Sequence, residues 1–307
     1  MDPLSEVLSL LKPRSYITAG FDAGGDWSLR LDDLRGRIKC YAVLRGACWL
    51  QLEDGSEALR MSHGDCFVLA SGCDVRIASD PTLEPTLASA ALSPNRDGEV
   101  VVYNGGGDVL LAGSRFEVNG SHAEALLAAL PPIIHIRSAA DQSALRWSIE
   151  LMMREVREAR PGAWLIAQHL AHMMLAQALR LYLAQVPKDA VGWLAGLADP
   201  QIGTALAQIH ADPVRDWSLE ALAAAAGMSR TVFARRFRER MGETPIAYLT
   251  RWRMMLAAER LLAGRDPIGV IARSVGYESE SAFTAAFRRV MGSPPRRFAA
   301  DGWGAPA

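Results

Sequence analysis

The sequence predicts an α+β chain of two domains: a strand-built first half with helices appended, then an all-α half carrying two helix-turn-helix units. Three observations predict it. A pattern recurs at a 50-residue offset: Phe233, Phe237, Met241, Gly242, Pro245 in one copy and Phe283, Phe287, Met291, Gly292, Pro295 in the other. Over 231–248 against 281–298, 6 of 18 positions are identical. The charge splits as well. Residues 201–300 hold 15 Arg and 9 Asp/Glu, whereas residues 1–200 hold 18 Lys/Arg and 24 Asp/Glu, so a net charge of −1 conceals +6 against −6, with Asp301 supplying the remaining −1. Finally, the texture changes from short apolar runs broken by Gly, Asp and Pro to runs of helical spacing.

Taken in order, residues 1–12 suggest a short amphipathic helix with Leu4, Val7, Leu8 and Leu11 on one side, stopped by Pro13. From Ser15 to about Val118 the texture is β. Lys39–Leu44, Ala47–Glu53, Cys66–Ala70, Val75–Ala78, Val100–Tyr103 and Val109–Val118 are the expected strands. The turns are Arg45-Gly46, Asp54-Gly55, His63-Gly64, Ser71-Gly72 and the loop from Asn104 to Asp108. Closely spaced short strands imply a sandwich or barrel. Helices are then expected over Ser121–Leu130, Asp141–Arg160 and Ala163–Gln185, the last apolar nearly all round and suited to packing on the barrel or on a second subunit. The expected domains are residues 1–186, a linker over 187–199, and 200–300.

Each copy of the repeat has a physical content. Phe, Phe and Met at i, i+4 and i+8 make one apolar stripe on a helix, the Gly suits a left-handed cap, and the Pro prevents continuation. A short Ala-rich helix ending in Gly227 or Gly276 precedes each stripe, which completes a helix-turn-helix. The outer face of the first copy is crowded with Arg230, Arg235, Arg236, Arg238 and Arg240, and Arg288 and Arg289 sit on its counterpart. Of the 33 basic residues, all but Lys12, Lys39 and Lys188 are Arg, the better bidentate partner for phosphate and guanine.

The segment Ser218–Phe298 resembles the DNA-binding domain of AraC/XylS-type bacterial transcription regulators. The residues that carry the likeness are the Ala-Gly-Met-Ser turn at 226–229, the two Phe stripes, Gly242, Pro245, Tyr248 and Arg253. In the second half they are Ile268, Ile271, Ala272, Gly276, Tyr277, Gly292, Pro294, Pro295 and Phe298. The runs Gly46–Leu50 and Gly64–Leu69 are similar to a cupin-type sensor domain. The resemblance implies a cupin-like β-barrel with appended helices, followed by an all-α double helix-turn-helix DNA-binding domain. Its two units would be joined by a long helix, here 245–262, spanning roughly 27 Å. That is near the ~34 Å between successive major-groove segments.

With the Phe stripe inward, Arg230, Thr231, Ala234, Arg235 and Arg238 face out. The family's base-reading positions fall on Thr231, Ala234 and Arg235, and Arg230 and Arg238 suit phosphate. The second helix offers Glu280, Ser281, Thr284 and Ala285, so the long arginine of position 235 is absent there. Ser279, Arg288, Arg296 and Arg297 are the expected backbone contacts. The first unit is therefore expected to dominate base readout.

The resemblance further implies double-stranded promoter DNA as partner, an effector for the first domain, homodimerisation through the N-terminal half, and RNA polymerase contact in an activator. No cofactor and no metal site are expected: His-x-His occurs nowhere, and Val75 stands where the second cupin motif would carry His. A cupin-type enzyme with an appended DNA-binding module is thus the weaker alternative to a non-enzymatic regulator. His169 and His172 read as helix-packing residues. Two sensing modes stay open. One is a small apolar or aromatic ligand near Tyr41, Trp49 and Phe67. The other is oxidant or electrophile sensing by Cys40, Cys48, Cys66 or Cys73. The first residues lack a secretory signal pattern, and the apolar run 163–183 is too polar for a membrane span. A cytoplasmic location is expected.

Overall fold

The computed structural model describes residues 2–11, 14–32, 34, 36–70, 74–92, 100–117, 130–136, 139–158 and 160–301. They form two compact units. One comprises Pro13–Val118 and Leu130–Gln185, and the other the described parts of Met1–Lys12 and Val186–Ala307.

The first unit carries eleven strands among the described residues: β1 (Arg14–Ala23), β2 (Ser28–Leu31), β3 (Arg37–Arg45), β4 (Ala47–Leu52), β5 (Leu59–Ser62), β6 (Cys66–Leu69), β7 (Val75–Ala78), β8 (Thr86–Leu87), β9 (Val100–Tyr103), β10 (Val109–Glu117) and β11 (Ile133–Ile136). They pair in two sheets, one in the order β11-β6-β3-β10-β1-β9 and one in the order β5-β4-β7-β2-β8. The inner faces share a core to which Val43, Phe67, Leu69 and Leu111 come from the first sheet and Leu29, Leu50, Met61 and Ile77 from the second. Period-2 alternation decides this: in β3, Lys39, Tyr41 and Val43 look one way and Ile38, Cys40 and Ala42 the other.

The outer face of the six-stranded sheet is covered by α3 (Ala139–Glu158) and α4 (Ala163–Leu183), which pack on each other. Ser114 Oγ lies 3.3 Å from Met152 Sδ, and the rings of Phe116 and His172 meet edge-on at 5.6 Å. A sheet buried on both faces explains why β6 reads as the unbroken apolar run Cys66–Leu69. His172 Nδ1 also bonds to the Gln168 carbonyl at 2.8 Å, so this histidine is a packing residue, whereas His169 is exposed. A short helix, α2 (Ala88–Ala91), follows β8.

Four expected strands lie within a residue or two of the observed ones, and Val75–Ala78 and Val100–Tyr103 coincide with theirs. Strands β1, β2, β5, β8 and β11 were not separately expected. β11 is notable because it follows Pro131-Pro132, where helical texture was anticipated; it closes the sheet edge against β6, with Ile134 opposite Val68. The turn at 71–72 and the helix expected over 121–130 fall, apart from Leu130, outside the described residues.

The second unit begins with α1 (Pro3–Leu11) and continues with α5 (Trp193–Ala198), α6 (Pro200–Ala211), α7 (Leu219–Ala225), α8 (Arg230–Met241), α9 (Pro245–Ala263), α10 (Ile268–Ser274), α11 (Glu280–Met291) and α12 (Pro295–Asp301). Within the segment read as a loose linker, Trp193, Leu194 and Ala195 of α5 are buried. Apolar side chains so close together bury themselves against α6 and α8 rather than remain extended in water. The two repeats fold alike. Phe233 meets Phe237 with centroids 5.6 Å apart, and Phe283 meets Phe287 at the same distance. Gly242 and Gly292 cap their helices in the left-handed region, both at φ 77°, where a β-carbon would be strained.

Among the described residues, no helix is long and apolar enough to cross a membrane.

Candidate nucleic-acid interface and effector cavity

Helix α8 owes its orientation to its buried stripe: Phe233, Phe237 and Met241 are inward. Arg230, Thr231, Arg235 and Arg238 are exposed, and Ala234 is half-buried between them. Arg230 Nε lies 3.0 Å from Glu220 on α7, an exposed pair. The Arg235 side chain is 71% exposed and only loosely associated with Glu239, at 3.8 Å one turn on. Exposed pairs of this kind hold little energy, so both guanidiniums remain available to a stronger acceptor.

Two arginines read as part of that basic face serve the fold instead. Arg236 donates from Nε to Asp199 at 2.9 Å and from Nη1 to the Gln201 side-chain oxygen at 2.7 Å. Arg240 donates to the carbonyls of Lys188 and Ala190. Asp199 also caps α6 by accepting from the Gln201 and Ile202 amides at 3.0 and 3.1 Å. Burial alone would raise the Asp199 carboxyl; the Ile202 amide, the Arg236 guanidinium and the Gln201 amide outweigh it and hold the carboxyl below its ordinary value.

On α11, Glu280, Ser281 and Ala285 are exposed and Thr284 is half-buried. Ser279 caps the helix, accepting from the Ala282 amide at 3.2 Å, and its hydroxyl lies 3.2 Å from that of Ser281. The Glu280 carboxylate lies over Gly269 of α10, within 3.3 Å of where a β-carbon would stand. Arg288 is exposed one turn before the Gly292 cap, and Arg296 and Arg297 are exposed in the first turn of α12. Arg253, from the middle of α9, joins the halves. It donates to the carbonyls of Pro213 (2.6 Å), Val214 (3.2 Å) and Arg215 (2.8 Å) and lies beside the Gly276-Tyr277 turn.

A polar chain through this unit had no sequence signal beyond Tyr248 itself. Trp193 donates from Nε1 to the Tyr248 hydroxyl at 3.1 Å, and that hydroxyl lies 2.7 Å from His210 Nε2. His210 Nδ1 lies 2.8 Å from the Glu6 carboxylate on α1. The tyrosine oxygen accepts from Trp193 and can donate its own proton to Nε2, an arrangement in which a neutral imidazole presents Nδ1–H to Glu6. Burial against Trp252, with ring centroids 4.0 Å apart, pushes His210 down to about 3; the Arg251 charge adds to this. Burial likewise raises Glu6. An unfolded histidine titrates near 6.5, so between pH 6.5 and 3 the unfolded chain takes up a proton that the folded one refuses. Stability from this group is present above 6.5 and falls as pH falls. From pH 7 to 5.5 the expected loss is about 1 kcal/mol. Urea unfolding of the wild type and His210→Gln at both pH values checks this; parallel pH slopes would count against it.

In the first unit, a cavity of about 370 Å³ opens between the sheets. Tyr41 and Phe67 line it, with ring centroids 5.6 Å apart. Trp49, expected with them, is not among the lining residues: it is out of phase with the inward Cys48 and Leu50 of β4. Gly113 lies beneath Tyr41; a β-carbon there would come within 2.7 Å of the ring, so the glycine leaves it room. Sequence reasoning also missed Lys39, Arg115 and Asp32, which line the same cavity.

Cys40, Cys48 and Cys66 are buried and in no disulfide, and Cys73 lies outside the described residues. Burial pushes Cys40 well above its ordinary value and Cys48 up to about 12. Among the described residues, no cluster of three or more His, Cys, Asp or Glu could hold a metal ion.

Residues 2–184 match a family model described as Cupin, and residues 222–301 match one described as Helix-turn-helix domain. A protein of Streptomyces lividans named as an AraC-like transcription regulator is 41% identical over 296 residues, covering 96% of this chain and 97% of its own. The RCS-specific HTH-type transcriptional activator RclR of Escherichia coli is 32% identical over 298 residues, covering 97% of each. Among solved structures, the DNA-binding domain of AdpA in complex with a target DNA is 32% identical over 33% of this chain and 91% of that one, with a TM-score of 0.32.

Proposed function

Because the chain belongs to the AraC-type transcription regulators, a cupin domain followed by a helix-turn-helix DNA-binding domain, we propose that it is a sequence-specific activator whose first unit responds to a small molecule. The observation that carries the DNA half is the pair of stripe helices, α8 and α11. Each is anchored by two buried Phe and a buried Met, and α8 turns an exposed Arg235 and Arg238 outward. In this reading Thr231, Ala234 and Arg235 meet base edges in one major-groove segment. Glu280, Ser281, Thr284 and Ala285 face the next. Arg230, Arg238, Ser279, Arg288, Arg296 and Arg297 hold phosphates. The Ser279 hydroxyl can donate to a phosphate while it accepts from its own helix.

The sensing half is carried by the cavity between the sheets. Thiol sensing is the weaker alternative, since an oxidant or electrophile attacks the thiolate and burial disfavours that form at Cys40 and Cys48. Relatives named as transcription regulators support a non-enzymatic protein that acts on chromosomal DNA in the cytoplasm. Exposed Trp164, Leu165 and Ile166 at the start of α4 support homodimerisation through the first unit, and activation would add a contact with RNA polymerase.

Footprinting of the full chain on the DNA upstream of its own gene tests the proposal. Protection of two major-groove segments about one turn apart on one face is expected. No preference over random DNA of the same length would sink it.

A further inference from the structure

The cavity between the sheets is walled by apolar side chains, among them Leu69, Ile77 and Leu111, and by the rings of Phe21, Tyr41 and Phe67. Neighbours hold the rings in place. Phe21 meets Trp27 edge-on at 5.2 Å and stacks on Tyr103 at 6.2 Å by centroids, and Tyr41 lies 5.6 Å from Phe67. The charged groups of the lining are engaged within the protein. Ser89 gives both its amide and its hydroxyl to the Asp32 carboxylate. Lys39 and Arg115 each interact with other groups of the protein. The Tyr41 hydroxyl differs from these. The residue is half-buried in the lining, and among the described residues its hydroxyl has no hydrogen-bond partner.

We infer that this cavity takes an uncharged ring compound bearing one hydroxyl or carbonyl oxygen, its apolar body against Phe67 and the leucines and its oxygen on the Tyr41 hydroxyl. The inference rests on the reading of the first unit as the effector-binding one. A ring set against fixed aromatic neighbours gains from area burial and from offset or edge-on contact. A charged ligand would give up its hydration in the same wall, at a far larger cost than a neutral one. A phenol hydroxyl both donates and accepts, so it can meet an alcohol or a ketone. One polar group in an apolar wall orients the ligand and tells it from a plain hydrocarbon. The size fits about a dozen non-hydrogen atoms, at a water-sized share of ~30 Å³ each.

Isothermal titration of the full chain with 4-phenylbutanol, 4-phenylbutyrate and 4-phenylbutylamine, three ligands of one shape, tests the inference. The alcohol is expected to bind at least about tenfold more tightly than the acid or the amine. Tyr41→Phe, which keeps the ring and removes the hydroxyl, is expected to weaken the alcohol by about three- to tenfold. The same variant is expected to leave butylbenzene, which has no oxygen, within about twofold. Acid or amine binding as tight as that of the alcohol, seen in the wild type, would overturn the uncharged assignment and leave the effector cavity standing. Unchanged alcohol binding by a folded Tyr41→Phe would overturn the hydroxyl anchor, as would equal weakening of the alcohol and butylbenzene. Binding of none of the four would overturn both the inference and the cavity as an effector site.

Discussion

Phe237→Ala is expected to destabilise the helical unit by about 3–5 kcal/mol and to abolish DNA binding at ordinary temperatures. The ring is fully buried, 5.6 Å from Phe233 and 6.2 Å from Tyr248 by centroids. Removing it empties the space between α8 and α9 and loosens the tyrosine that holds Trp193 and His210 in their polar chain. A domain of ordinary stability, about 5–15 kcal/mol, loses a large share of its margin to such a cavity. Urea titration followed by tryptophan fluorescence measures the loss. Phe237→Leu, which refills most of the volume, is expected to recover more than half of it. The equivalent Phe287→Ala should cost a similar amount, because Phe287 is equally buried and meets Phe283 at 5.6 Å and Phe298 at 5.3 Å. A loss below about 1 kcal/mol at either position would contradict the stripe as the anchor of its helix.

The stripe was legible in the sequence because helical spacing, a left-handed cap and a stop are all local. The pattern Phe-xxx-Phe-xxx-Met-Gly needs no partner to be read, and Gly242 and Gly292 sit where it puts them. What the sequence hides is the use of a charge. Arg236 and Arg240 share the helix of Arg235 and Arg238, but the side they face carries Asp199 and the carbonyls of 188 and 190, roughly 40 to 50 residues upstream. No window of helical length contains both partners. His210 was silent for the same reason: its partners Glu6 and Tyr248 lie 204 and 38 residues away. Lys39 is a different case. In the strand RIKCYAVLR it is in phase with Tyr41 and Val43, so alternation alone puts a lysine on the face that holds the expected ligand aromatics. The signal was present at short range, and only its pairing with Arg115, 76 positions along the chain, needed the sheet.

Arg235→Ala is expected to weaken binding to the specific site by about 10- to 100-fold, the equivalent of one bidentate guanine contact, and to relax preference at one base pair. The side chain is 71% exposed and gives up only a distant partner, Glu239, so the folded state should barely notice its loss. Arg288→Ala provides the contrast. Arg288 holds the position in α11 that Arg238 holds in α8, one turn beyond Ala285, which replaces the long arginine of the first copy. Its loss is expected to weaken specific and random DNA alike and to flatten the dependence of log K on log salt by about 0.9, the signature of one phosphate contact. Anisotropy titrations of both variants on specific and random duplexes, at several salt concentrations, separate the two roles. Two helices with a shared interior can thus differ in what they read, because the fold constrains only the buried stripe and leaves positions 235 and 285 to the DNA. Equal losses on specific and random DNA for Arg235→Ala would remove it from base readout and move the reading to Thr231 or to the second helix.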